Sequence, residues 1–334
     1  FQMNILINCP SKFNLKSNEL NKIGGIESLN IALAKKLSNI NFNVTLSTIC
    51  SKKTQINKLL NLPIKTIKLK KKNLNFDIII SSNDATIFSY FPKAKKFIWL
   101  HNPLQIEKAF RKKQFFPLLT SRPYAIFVSS YLESITSKLL LFKKRIVIPN
   151  FLLPDFINKT INFKRKQVFV WSVQRNKGLA ETIEIWIKKI YPLYKNAEFH
   201  VFGDNKFFNK SDKKKLALKN IFFMGRVSKP ILRRSYNKSL AMICLGYDET
   251  FCLNALEANS CGLPVLTFGK TALSNFVINN QNGFVAKDYF DLSAIIIKMI
   301  NLNNIKHHKL INNSINTSKK YLLNTIISKW LKIL

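Results

Sequence analysis

Acidic side chains are scarce in this chain. Seventeen Asp and Glu stand against 54 Lys and Arg in 334 residues, a formal net charge of +37. Histidine is scarcer still: four residues, His101, His200, His307 and His308, are too few and too scattered for a histidine-based metal site. The five cysteines, at 9, 50, 244, 252 and 261, form no Cys-x-x-Cys pair and no zinc spacing. Free thiols in a reducing compartment are therefore expected. No apolar run approaches the ~18 residues of a membrane-spanning helix. The opening residues, Phe1 to Leu6, run into a strand-like segment with no basic n-region and no cleavage site, so no secretory signal is expected. Gly-x-Gly-x-x-Gly is missing, which removes a nicotinamide or flavin fingerprint, and so is Asp-x-Asp, a common divalent-metal motif.

What is abundant is apolar surface. A hydrophobic fraction of 47% excludes a disordered chain despite the charge, and the length predicts two domains. Charge of this size points first to nucleic acid or an anionic membrane. Its distribution weakens that reading. Residues 1–150 hold 25 basic and 6 acidic side chains, and residues 151–334 hold 29 and 11. The excess is spread evenly, as compositional drift in a chain rich in Lys, Asn, Ile and Phe would leave it. One window is neutral: residues 251–300 hold three basic and three acidic residues.

Short apolar runs alternate with amphipathic segments. Strands are predicted at Asn4–Asn8, Val44–Thr48, Ile64–Leu69, Asp77–Ser81, Phe97–His101, Ala125–Val128 and Arg145–Ile148, with helices at Gly25–Leu37 and Tyr131–Leu141. Residues 149–167, with Pro149, Pro154 and the run Lys164-Arg165-Lys166, read as a linker. The alternation then restarts at Val168–Val173 and continues to an amphipathic segment, Lys319–Leu334, whose stripe includes Ile326, Ile327 and Trp330. This pattern predicts two Rossmann-like units with parallel sheets, facing each other across a cleft at the carboxyl ends of their strands.

Four places carry candidate chemistry. Gly24 and Gly25 open a helix after the first strand, where backbone amides suit phosphate. His101 ends a strand just before Pro103. Ser172 to Gly178 make the first strand-to-helix turn of the second half, and Arg175 with Lys177 there form an anion site. The strongest is Glu249 to Ala258, which carries two of the few carboxylates, Glu249 and Glu257, eight residues apart around a helix start at Phe251, Cys252, Leu253 and Asn254. Carboxylates there can accept hydrogen bonds from sugar or ribose hydroxyls, and the helix amides can meet negative charge. Plain structural roles compete at each of these places.

These motifs, in this order, resemble the retaining glycosyltransferases of family 4. The resemblance runs through GGIE (Gly24–Glu27), WLHN (Trp99–Asn102), VSSYLES (Val128–Ser134), IPN (Ile148–Asn150), SVQRNKGL (Ser172–Leu179), HVFGD (His200–Asp204), FMGRVS (Phe223–Ser228), ETFCLNALEA (Glu249–Ala258), CGLPV (Cys261–Val265) and NGFV (Asn282–Val285). It departs at Cys252, where the family usually has Gly, at Asp248, where small residues are commoner, and at Ser172, in place of a Gly-Arg pair. The resemblance implies the GT-B fold: an acceptor domain over residues 1–160 with the helix 319–334 crossing back to it, and a donor domain over 161–318. It implies a nucleotide-sugar donor and a glycan or lipid-linked acceptor. By the same resemblance Glu257 holds ribose and Glu249 the donor sugar. Arg175 and Lys177 meet the leaving diphosphate with help from amides near Gly25 and at Leu253–Asn254, and His101 touches the donor sugar and orients the acceptor. Ser172, Phe251 and Cys252 complete the donor pocket. Retention, no cofactor and no metal are expected, in the cytoplasm, with the cations at 65–72, 93–96, 111–113 and 143–145 against an anionic membrane face. Two other classes stay open: a polyanion- or nucleic-acid-binding protein, and a protein of the same fold with another task, an epimerase, a phosphorylase or an inactive binder.

Overall fold

A computed structural model of the chain describes residues 2–13, 15, 23–157, 160–203 and 208–334; Asp204 of the HVFGD motif lies outside them. The chain divides into two compact units, one made of Phe1–Phe151 with Leu323–Leu334, the other of Leu152–Leu322.

In the first unit the elements are β1 (Asn4–Asn8), α1 (Gly25–Asn39), β2 (Asn43–Thr48), β3 (Thr54–Ile56), β4 (Leu59–Pro63), α2 (Ile64–Leu69), β5 (Ile78–Ser82), β6 (Lys95–Leu100), α3 (Ile106–Arg111), α4 (Phe115–Ser121), β7 (Tyr124–Phe127), α5 (Ser130–Ile135) and β8 (Lys144–Val147). The sheet runs β3-β4-β2-β1-β5-β6-β7-β8, and all its pairs are parallel except β3 with β4. Near-continuous apolar runs such as Ile78-Ile79-Ile80, fully buried, are what a parallel sheet covered on both faces requires.

Two expectations fail here for visible reasons. Ile64–Leu69 is a helix, not a strand. Its apolar residues Ile64 and Ile67 recur at helical spacing, Ile67 is buried, and Leu69 is 84% exposed. The strand lies just before it and ends at Pro63. The helix expected over Tyr131–Leu141 stops at Ile135. The Arg145 guanidinium donates to the carbonyls of Glu133, Thr136 and Ser137 at 2.7, 3.1 and 3.3 Å, meeting orphan carbonyls that another turn would otherwise have occupied.

The second unit holds β9 (Val168–Trp171), α6 (Leu179–Ile185), β10 (Glu198–Phe202), α7 (Lys210–Ala217), β11 (Ile221–Gly225), α8 (Lys229–Tyr236), β12 (Ala241–Ile243), α9 (Leu253–Ser260), β13 (Val265–Thr267), β14 (Gly283–Val285), α10 (Tyr289–Ile300) and α11 (Asn304–Lys319). Its sheet is wholly parallel, in the order β11-β10-β9-β12-β13-β14. Renumbered from its own first strand this is 3-2-1-4-5-6, the Rossmann order, with its reversal between β9 and β12. Arg165, part of the run read as linker charge, is structural. Its guanidinium donates to Tyr236 O at 2.8 Å and Cys261 O at 2.9 Å, and burial pulls its pKa down to about 10.

The terminal segment is not one helix from Lys319. Helix α11 ends there, Leu152 donates to Tyr321 O at 2.7 Å, and a separate helix, α12 (Leu323–Leu331), returns to the first unit. Trp330 is fully buried there, edge-on to Trp99 at 5.2 Å, and Lys95 Nζ donates to Ile333 O at 2.6 Å. Thus the amphipathic stripe serves internal docking, not a partner.

Candidate active site

The reversal of strand order leaves an opening at the carboxyl ends of β9 and β12, because the connections from these strands depart to opposite sides of the sheet. Two loops meet there. The first leaves β9 as Ser172 to Lys177 and enters α6 through Gly178, whose φ of +100° is left-handed. A side chain at Gly178 would place its Cβ 2.5 Å from Leu245 Cδ1 and 2.9 Å from Tyr289 Oη. Glycine therefore permits both the turn and the close approach of this loop to the one that follows β12. The result is a pairing between residues distant in sequence: Lys177 Nζ lies 2.8 Å from Glu249 Oε1, with each side chain 13% exposed.

Beyond Glu249 the chain enters α9. Cys252 caps it with φ +65°, again left-handed, which gives a conformational reason for the glycine usual at this point in the family it resembles. Leu253 and Asn254 form the first turn of α9, and the Asn254 side-chain amide donates to the Ser172 carbonyl. The Ser172 hydroxyl is bonded to Tyr236 Oη at 2.6 Å. Ser172 thus ties the end of β9 to α8 and α9. The Phe251 ring is packed against Phe276 and Tyr321, both at 5.9 Å, as a core side chain. Glu257, two turns into the helix, is buried. Burial pushes its carboxyl up to about 8, with Lys229 opposing the shift and Asp155 adding to it. Tyr236 is pushed well above its ordinary value by burial and by the Glu257 charge.

Beside this loop pair lies a cavity of 620 Å³, whose lining includes Ser172, Arg175, Asn176, Gly203 and Arg226. Arg226 follows β11 and has no role assigned by the motifs above. The signal was present, since it is a cation immediately after a strand in the same sheet. Lys177, Glu249 and Glu257 are not among the residues lining this cavity.

The remaining candidates sit in the first unit. Gly24 precedes α1 with extended backbone (φ −73°, ψ 173°) and accepts a hydrogen bond from Ser28 N at 3.1 Å. Its conformation does not demand glycine. Gly25 is the first residue of α1. His101, just past β6, is buried 4.6 Å from the Trp99 ring, and burial lowers its pKa to about 3, so the imidazole is neutral near pH 7. Its backbone N–H donates to Asn83 Oδ1 at 2.8 Å. A second cavity, of 420 Å³, opens at this unit's own strand-order reversal, between β1 and β5, and is lined by Cys9, Ser11, Asn83, Asp84, Asn102 and Lys112 among others. The sequence signal for Asn83 and Asp84 is a polar pair directly after the strand Ile78–Ser82, which marks its carboxyl end.

Residues 156–317, nearly the whole second unit, match the family described as Glycosyl transferases group 1. This unit is a group 1 glycosyltransferase domain. The chain is accordingly a glycosyltransferase, and its two parallel-sheet units are those of the GT-B fold. Similar solved structures span nearly its whole length. A glycosyltransferase from Rickettsia africae is 16% identical, with a TM-score of 0.74 over 99% of this chain and 97% of that one. Sucrose-phosphate synthase from Thermosynechococcus elongatus is 14% identical, with a TM-score of 0.73 over 99% and 98%. HepE of Anabaena, solved with UDP and glucose, is 16% identical, with a TM-score of 0.69 over 100% of both chains. No curated protein matches the chain by sequence.

Proposed function

We propose that this glycosyltransferase moves a sugar from a nucleotide-sugar donor to a glycan or lipid-linked acceptor, with retention of anomeric configuration and without a metal ion. The observation that carries the reading is the Lys177–Glu249 pair, held at the strand-order reversal beside the start of α9. In this scheme Glu249 accepts hydrogen bonds from the donor sugar while Lys177, 2.8 Å from its Oε1, holds the carboxylate in place. As the bond to the nucleotide breaks, charge develops on the diphosphate. Lys177, Arg175 and the first amides of α9 lie on the elements that would meet it, doing electrostatically what a divalent ion does elsewhere. Glu257 holds the ribose. The neutral His101 serves as a hydrogen-bonding group, not a charge. The UDP and glucose bound to HepE support a donor of this class.

A thermal-shift screen against nucleotide sugars tests the reading. A donor present at 100 times its Kd should stabilise the protein by about 2.7 kcal/mol and identify base and sugar together. If no nucleotide or nucleotide sugar raises the midpoint, the donor assignment fails.

A peripheral membrane location is part of the proposal. Among the described residues no helix is long and apolar enough to cross a membrane. On the first unit, α3, α4 and the loop between them expose Phe110, Phe116 and Leu119 at 50, 67 and 42%. Exposed Arg111, Lys112, Lys113 and Arg122 lie in the same stretch. Aromatic side chains among cations suit the headgroup region of an anionic bilayer, where each cation contributes about 1 kcal/mol. The protein should pellet with vesicles containing anionic lipid and much less with neutral ones. Equal binding to both would remove this part.

A further inference from the structure

Cys244 and Cys252 show no metal spacing in the sequence, yet the fold places their sulfurs 3.5 Å apart. Cys244 follows β12 and is fully buried, its N–H bonded to Leu266 O at 2.9 Å. Cys252 is the left-handed cap of α9, and its carbonyl accepts from Ala255 N and Leu256 N at 3.2 and 3.3 Å. The Glu249 carboxylate completes the group: one oxygen and the two sulfurs all lie within 4.8 Å of one another. We propose that Cys244, Cys252 and Glu249 form a binding site for a thiophilic divalent cation, Zn²⁺, and that its occupation withdraws Glu249 from the donor.

The geometry fits. With Zn–S bonds of about 2.3 Å in a tetrahedral arrangement, two sulfurs stand roughly 3.8 Å apart, so only a small adjustment is needed. Two sulfurs and one carboxylate oxygen leave the fourth position open, as in zinc sites that keep an exchangeable ligand. Thiolates select zinc over magnesium or calcium. The charges also close: the two thiols release their protons on binding, the two thiolates and the carboxylate sum to −3, and Zn²⁺ with the neighbouring Lys177 supplies +3. Lys177 then remains as an outer partner of the carboxylate, 2.8 Å from Oε1. Oxidation to a disulfide is the weaker use of this pair. Both thiols are buried, out of reach of the exchanging thiols that would form and reshuffle a disulfide.

The metal site stands on geometry; its effect on transfer rests on the role of Glu249 given above. Reduced protein treated with one equivalent of Zn²⁺ should keep one ion per chain through gel filtration. Co²⁺ in its place should give a thiolate-to-cobalt charge-transfer band. Cys244→Ala should lose both signals, and Cys261→Ala, a buried cysteine outside the cluster, should keep both. A melt of each variant establishes folding. Should Cys244→Ala not fold, Glu249→Gln, altered at a partly exposed side chain, should weaken retention of the ion by removing its one carboxylate ligand. No cobalt band in the native protein, or a band that persists in folded Cys244→Ala, overturns the site. With zinc bound, transfer should be suppressed and then restored by chelation. A cobalt band without suppression of transfer by zinc supports the metal site and overturns the role of Glu249 instead.

Discussion

Lys177→Ala and Glu249→Gln should each lower turnover by on the order of 100- to 1000-fold, the effect of removing roughly 3–4 kcal/mol of electrostatic stabilisation from a preorganised site. The pair is only 13% exposed on either side, so water screens it weakly, and each partner defines the position of the other. For this reason the two losses should not add: the double variant should be little worse than the poorer single one. Release of nucleotide diphosphate from the donor found by thermal shift gives the rate, and circular dichroism shows whether the fold persists. Near-normal turnover in both variants would end the site assignment.

Glu257→Gln should alter the pH dependence of stability. In the unfolded chain this carboxyl ionises near 4.5, whereas burial in the folded protein raises it to about 8. Between those values the folded state binds a proton that the unfolded state has lost, so native stability falls as pH rises through that window and levels off above it. The difference corresponds to roughly 5 kcal/mol above pH 8. Glutamine carries no such proton. Urea unfolding at pH 5 and pH 9 should show the variant gaining on the native protein at the higher pH. An identical gap at both pH values would mean that the carboxyl is not held protonated. Lys229, Asp155 and Tyr236 are the charged or titratable neighbours to consider in fitting the curves. Ribose hydroxyls donate best to the ionised form. Nucleotide-sugar affinity should therefore rise with pH through about 8 in the native protein and stay flat in Glu257→Gln.

Much of the fold was legible because a parallel sheet leaves a strong trace: Ile78–Ile80 and Val168–Trp171 are continuous apolar runs in the places the sheets require. The errors arose where a local pattern was judged without its neighbours. At Ile64–Leu69 a spacing of three was read as a strand. At Ile135 the helix is ended by an arginine ten residues further on, and Arg165, in a run that reads as linker, bonds two backbone carbonyls. Cys252 was noted as a departure from glycine, but the left-handed backbone that explains the glycine needs coordinates to see.

By itself, the sequence determined the alternation of strands and helices, two Rossmann-like units, the amphipathic terminal segment, and the motifs that place Lys177 and Glu249 just after strands and Glu257 on the helix that follows. These properties are local, written in hydrophobic period and in residue types at turns. Only the tertiary structure decided that Lys177 meets Glu249, that Cys244 touches Cys252, and that Glu257 is buried deeply enough to hold its proton. Contacts between loops depend on strand order and on which backbones approach closely, as at Gly178. Desolvation depends on everything packed around a group, and no stretch of neighbouring residues encodes that.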